Sequence, residues 1–127
     1  MEKLFSLEKK KILVTGASSG IGKSVAINTV LQGATVSLLA RNKERLTATL
    51  ESLDPNESHK VVCCDLSSKS DLDLLVESLE PLDGLVLNAG AVKLAPIAFI
   101  NDDTIDDLFE INVQSSIRLV QRLVKKR

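Results

Sequence analysis

An apolar run, Ile12-Leu13-Val14, leads directly into Thr15-Gly16-Ala17-Ser18-Ser19-Gly20-Ile21-Gly22. A hydrophobic strand entering a glycine-rich turn and then a helix restricts the fold more than any other feature of this chain. The glycines serve a tight turn, a close backbone approach to an anion, and close packing of helix on strand. The helix after the turn offers unpaired N–H groups and a positive dipole end, the combination that binds pyrophosphate. The spacing is Gly16-x-x-x-Gly20-x-Gly22, so Ala17, Ser18 and Ser19 occupy the wider gap, and the two hydroxyls are available as donors. A nucleotide site is the leading expectation.

The rest of the chain repeats this strand–helix unit. A strand is predicted over Lys11–Thr15 and a helix over Gly20–Leu31, stopped by Gly33. A second strand comes at Thr35–Ala40, and Asn42 caps a helix to about Leu53, closed by Asp54-Pro55-Asn56. The third strand is predicted at Lys60–Asp65. Ser67 or Ser68 then caps a helix running through Leu79, before Pro81. A fourth strand covers Gly84–Leu87, and Asn101 or Asp102 opens a long helix to the C-terminal end. The strands are nearly continuous apolar runs, as expected when helices cover both faces of a parallel sheet. Right-handed crossovers then give a doubly wound α/β fold, a Rossmann-type N-terminal half with strand order 3-2-1-4. At 127 residues a single domain is expected, spanning residues 1–127.

Composition removes several alternatives. The net charge is −1 and the aromatics are three phenylalanines, which argues against a nucleic-acid partner. Met1-Glu2-Lys3-Leu4-Phe5 has no long apolar core of a signal peptide, and no stretch suggests a membrane span. Cys63 and Cys64 are adjacent, which is neither a disulfide framework nor a metal-ligand spacing. A reducing cytoplasm is therefore expected, with no metal. His59 is read as an exposed loop residue. The acid-rich run Asn101-Asp102-Asp103-Thr104-Ile105-Asp106-Asp107 is read as a helix cap with dipole-complementing acids.

Three positions refine the nucleotide site. About 20 residues beyond a dinucleotide glycine loop, an acid normally holds the ribose hydroxyls of NAD, whereas an arginine accommodates the 2′-phosphate of NADP. Ala40 and Arg41 stand there, so NADP is favoured over NAD. Asp65 and Asn88 end the third and fourth strands, where ligands of such sheets bind, although Asx residues also simply cap turns. Asn112 sits mid-helix, where asparagine is a poor helix former. It is either satisfied by a neighbouring turn or marks an irregularity at a functional site. Ile105, Leu108, Phe109, Val113, Ile117, Val120 and Val124 make an apolar stripe that Ile111, Leu119 and Leu123 widen. This is too broad for one buried face and points to a second partner, either further chain or another subunit.

Taken in order, Thr15–Gly22, Arg41, Asp65-Leu66, Asn88-Ala89-Gly90 and Ile111-Asn112-Val113 resemble the short-chain dehydrogenase/reductase family. The three-residue glycine gap is similar to the branch that includes 3-oxoacyl-(acyl carrier protein) reductases. The resemblance implies that Gly16, Ser18, Ser19, Gly20, Ile21 and Gly22 form the cofactor loop. It implies that Arg41 clamps the 2′-phosphate, that Asp65 and Leu66 frame the adenine, and that Asn88, Ala89 and Gly90 support the adenosine ribose. The family's Asn-Asn-Ala-Gly motif is present as Leu87-Asn88-Ala89-Gly90, with Leu87 expected in the strand. Asn112 matches the family's catalytic asparagine, which breaks the helix and holds a water in a proton relay. The family's serine and Tyr-x-x-x-Lys have no counterpart, and no tyrosine is present. The expectation is a cofactor-binding portion, inactive by itself, of an NADP-dependent oxidoreductase acting on a carbonyl or alcohol and associating as a homo-oligomer. A stand-alone NADP-binding or regulatory module is the alternative.

Overall fold

The computed structural model describes residues 4–55 and 58–126. Met1, Glu2, Lys3 and Arg127 lie outside them, as does Asn56, expected in the turn after the second helix. Strand β1 (Lys11–Thr15) leads into helix α1 (Gly20–Leu31), then β2 (Thr35–Ala40) and α2 (Lys43–Glu51). Next come strand β3 (Lys60–Cys63), α3 (Lys69–Ser78) and β4 (Gly84–Val86). A short 3-10 turn at Ile97–Phe99 precedes α4 (Asp102–Phe109), a π-helical turn (Glu110–Gln114) and α5 (Ser115–Lys126).

The strands form one parallel sheet in the order β3-β2-β1-β4, the expected doubly wound half. Because side chains alternate along each strand, the apolar runs supply both faces. Ile12, Val14, Val36 and Leu38 face α1 and α2, meeting Ala26 and Leu46. Leu13 and Leu39 face the other way, onto Leu72, Leu75 and Val76 of α3 and Leu119 of α5. The core is thus two thin layers, and the carboxyl ends of the strands remain open between them.

Three local expectations change. Strands β3 and β4 end at Cys63 and Val86, so Cys64, Asp65 and Leu87 are loop residues, Leu87 being 47% exposed. The backbone leaves the ladder there and opens a cleft at the strand ends. His59 is partly buried rather than an exposed loop residue. Its Nδ1 accepts the Val36 N–H at 3.1 Å, prolonging the contact of β2 with the segment before β3. The long C-terminal helix is interrupted: the π turn at Glu110–Gln114 separates α4 from α5. Of the two cap candidates before α3, Ser68 accepts from the Asp71 N–H, and before α4 Asn101 accepts from the Thr104 N–H at 2.8 Å.

The apolar residues of α4 and α5 divide in a way the stripe alone does not predict. Leu119 is fully buried and Leu123 packs against that core layer. Ile105, Phe109, Val113, Ile117, Val120 and Val124 remain exposed, from 37% for Val120 to 65% for Val124. Of the widening residues, Leu119 and Leu123 face the sheet and Ile111 lines the cleft at the strand ends, while those six stripe residues face outward.

Candidate functional site

At the carboxyl ends of the strands lies a cleft of about 720 Å³. Thr15, the last residue of β1, organises its floor. It is 1% exposed, its Oγ1 accepts the N–H groups of Asn88 and Ala89, each at 3.0 Å, and it donates to the Val86 carbonyl at 3.3 Å. Asn88 Nδ2 donates in turn to the Gly16 carbonyl at 3.3 Å. The glycine loop and the segment after β4 are therefore tied into one platform.

Gly22 presses α1 onto this platform. A Cβ there would lie 2.1 Å from the Gly16 carbonyl oxygen and 2.4 Å from Asn88 Nδ2, so only a residue without one fits. The helix end so placed carries no side-chain cap. Ser19 is extended, its hydroxyl makes no capping bond, and the first turn of α1 holds no acid. The orphan N–H groups and positive dipole end are left for an anion.

The opposite end of the cleft is cationic. Arg41 lies just past β2 and lines it. Asn42 caps α2 by accepting the Arg45 N–H at 3.0 Å, and Arg45 lines the cleft beside it. Asp65 faces this end from the loop after β3. Its Oδ1 accepts from the Ser67 hydroxyl at 2.7 Å and the Ser67 N–H at 3.0 Å. These hydrogen bonds, with a smaller contribution from the Arg41 charge, hold its carboxyl below the usual carboxylate range. Cys64 is 4% exposed, and burial first, then Asp71, Asp65 and Cys63, pushes its thiol up to about 11. It is therefore a neutral wall residue at physiological pH, not a nucleophile. Cys63 Sγ donates to the Arg41 carbonyl at 3.0 Å.

Asn112 lies in the π turn, and its side chain is paired with one backbone unit across the loop. Its Oδ1 accepts the Ala91 N–H at 2.9 Å and its Nδ2 donates to the Ala91 carbonyl at 2.8 Å. Gly90 permits this approach, since a Cβ there would lie 2.8 Å from Asn112 Oδ1. The helix is irregular at Asn112, and a neighbouring segment satisfies its side chain. Such π turns are frequent at functional sites.

Of the anticipated residues, Gly16, Ser18, Ser19, Arg41, Asp65, Leu66, Asn88, Ala89 and Gly90 converge on the one cleft. Gly20, Ile21, Gly22 and Asn112 are not on its lining. Gly22 is buried in the loop packing and Ile21 is 75% exposed. Asn112 sits beside the cleft, whose wall includes its helix neighbours Ile111 and Ser115. Sequence reasoning missed Thr15 as the tie between loops, although a hydroxyl ending a strand before a glycine turn was a signal. It also missed Arg45, one helical turn past Arg41. The lining can hold an elongated anionic nucleotide: an open helix end and two hydroxyls at one end, two guanidiniums at the other.

A family profile described as short chain dehydrogenase matches residues 10–126. An uncharacterised oxidoreductase of Bacillus subtilis, YvaG, is 32% identical over 120 residues, covering 92% of this chain and 46% of that protein. A 3-oxoacyl-[acyl-carrier-protein] reductase, FabG, of Rickettsia bellii is 32% identical over 123 residues, covering 97% of this chain and 50% of that protein. The crystal structure of L-sorbose reductase from Gluconobacter frateurii, complexed with NADPH and L-sorbose, superposes with a TM-score of 0.84 at 31% identity. That match covers 94% of this chain and 48% of the reductase. The chain spans about half the length of the curated relatives it matches. It belongs to the short-chain dehydrogenase family.

Proposed function

We propose that this short-chain dehydrogenase family member is the NADP-binding portion of an oxidoreductase that interconverts a carbonyl and an alcohol. The observation that carries the reading is a single cleft joining the open N-terminal end of α1 to the Arg41 guanidinium. The pyrophosphate is held at Gly16, Ser18, Ser19 and the first N–H groups of α1, from Gly20 to Gly22, with Ile21 beside the ribose. Asp65 and Leu66 frame the adenine, while Asn88, Ala89 and Gly90 support the adenosine ribose. Arg41 grips the 2′-phosphate. The L-sorbose reductase complex with NADPH supports the choice of cofactor by its likeness to this chain.

A nicotinamide cofactor held in this cleft would supply or accept the hydride. Asn112 serves the proton side of the reaction as the family's catalytic asparagine, its amide held by Ala91 so that the widened turn keeps a fixed shape. With no tyrosine among the 127 residues, we expect this chain by itself to bind NADPH without reducing carbonyls. Residues 1–127 act as one cofactor-binding domain. The exposed stripe Ile105, Phe109, Val113, Ile117, Val120 and Val124 supports self-association. Among the described residues no helix is long and apolar enough to cross a membrane. Free thiols at Cys63 and Cys64 fit a reducing cytoplasm.

Arg41→Asp tests the cofactor reading. NADPH binding, monitored by cofactor fluorescence, is expected to weaken at least about 30-fold while NADH binding changes less than about threefold. Equal losses for the two cofactors would remove the clamp.

A further inference from the structure

The proposed 2′-phosphate end of the cleft contains more positive charge than Arg41 alone supplies. Arg45 lines the same cleft, one turn into α2. Its place is well determined on both sides. Asn42 Oδ1 accepts its N–H at 3.0 Å, and its carbonyl accepts from Thr49 Oγ1 at 3.3 Å. Thr49 is fully buried and also donates to the Ala17 carbonyl at 3.1 Å, tethering α2 to the glycine loop. Leu46, next in sequence, is fully buried against the sheet. The backbone that presents Arg45 is therefore locked to the loop proposed to hold the pyrophosphate.

The lining of the cleft carries two arginines against one carboxylate. Among the described residues, Asp65 is the one carboxylate on the cleft lining, and its electrostatic partner there is Arg41. No acidic residue is paired with Arg45 among the described residues. Arg41, just before the Asn42 cap, and Arg45, in the first turn of α2, both stand near its positive dipole end, where Glu44 is the one acid of the turn. Such a cluster costs free energy until an anion enters. Asn42 contributes as well: with its Oδ1 committed to the Arg45 N–H, its amide NH2 is left as the donor.

We propose that Arg45 is a second specificity-determining residue, pairing with Arg41 on one phosphomonoester dianion and so setting the preference for a 2′-phosphorylated adenosine. This rests on the proposal that the cofactor is NADP. A dianion matches two monocations, and two planar forks meeting three terminal oxygens fix its orientation better than one. Both arginines are exposed at the cleft mouth, so the gain is moderate and falls with added salt.

The test uses calorimetric titration of the full chain with adenosine 2′,5′-bisphosphate, adenosine 5′-monophosphate and inorganic phosphate. The wild-type chain is expected to prefer the bisphosphate over the monophosphate by at least about 30-fold, with inorganic phosphate a weak competitor. Arg45→Gln is expected to weaken the bisphosphate about tenfold and the monophosphate less than about twofold, with an unchanged Tm. Arg45→Lys should restore most of that loss, and raising the salt should shrink the difference between wild type and Arg45→Gln. If Arg41→Gln abolishes the preference while Arg45→Gln keeps it, the role of Arg45 is overturned and the NADP reading stands. If wild type shows no preference for the bisphosphate, or inorganic phosphate binds as tightly, both fall.

Discussion

Helices α1 and α4 begin in opposite ways. At α4 the chain completes its own helix end: Asn101 accepts the Thr104 N–H at 2.8 Å, and Asp102 and Asp103 occupy the first turn. At α1 the Ser19 hydroxyl makes no cap and the first turn holds no acid. Every helix start leaves N–H groups without an intrahelical partner and a partial positive charge. Side chains satisfy both locally at α4. At α1 they are left open, and the helix is held instead by Gly22 pressed against the Gly16 carbonyl and Asn88. A start completed by its own residues gives stability alone. A start held by packing from behind leaves its donors for something outside the chain.

The most disruptive way to break this contrast is Gly22→Ala. With a Cβ only 2.1 Å from the Gly16 oxygen, α1 must lift off the platform. A loss of roughly 3 kcal/mol and a Tm drop of roughly 10 °C or more are expected, with NADPH binding lost. A variant that melts with wild type would show that α1 is not held there. Ser19→Asp should instead convert α1 into a start like that of α4. Its carboxylate caps the helix and repels phosphate, so the Tm stays level or rises while NADPH affinity falls about 30-fold. Retained affinity would place the pyrophosphate elsewhere.

The far end of α4 is addressed by Asn112→Ala, which removes both bonds to Ala91. A loss of about 1–2 kcal/mol is expected, together with faster hydrogen exchange at the Ala91 amide and NADPH affinity within about threefold of wild type. Unaltered exchange would mean that the side chain does not anchor this loop. The smallest effect belongs to Asn101→Ala, which should cost about 1 kcal/mol by thermal melting and leave NADPH binding untouched. A change in binding there would blur the distinction between the two helix starts.

Local signals are legible in the sequence because their physics is local. Asn42 and Asn101 cap the helices they precede, since a cap needs only the next three residues. The strand order β3-β2-β1-β4 is legible because apolar runs alternating with helices leave few arrangements of a parallel sheet. The burial of α4 and α5 is not. A stripe drawn at one helical period runs straight through Asn112, whereas the π turn at Glu110–Gln114 adds width and resets the phase of α5. Phe109, Val113 and Ile117 stay together as the stripe draws them, but on the outside, and it is Leu119 that turns inward.

By itself, then, the sequence determined the succession of elements, the glycine loop and the arginine that answers it, because periodicity, capping and turn chemistry act over a few residues. Only the tertiary structure decided which residues share the cleft. It joined Thr15 to Asn88 across 73 positions, set Arg45 beside Arg41 on a helix tethered at Ala17, and moved Ile21 off the lining. The physical reason is that an apolar pattern specifies which face is buried but not what it meets. That depends on how strands pair and helices cross, and so on contacts between parts of the chain that carry no information about one another in sequence.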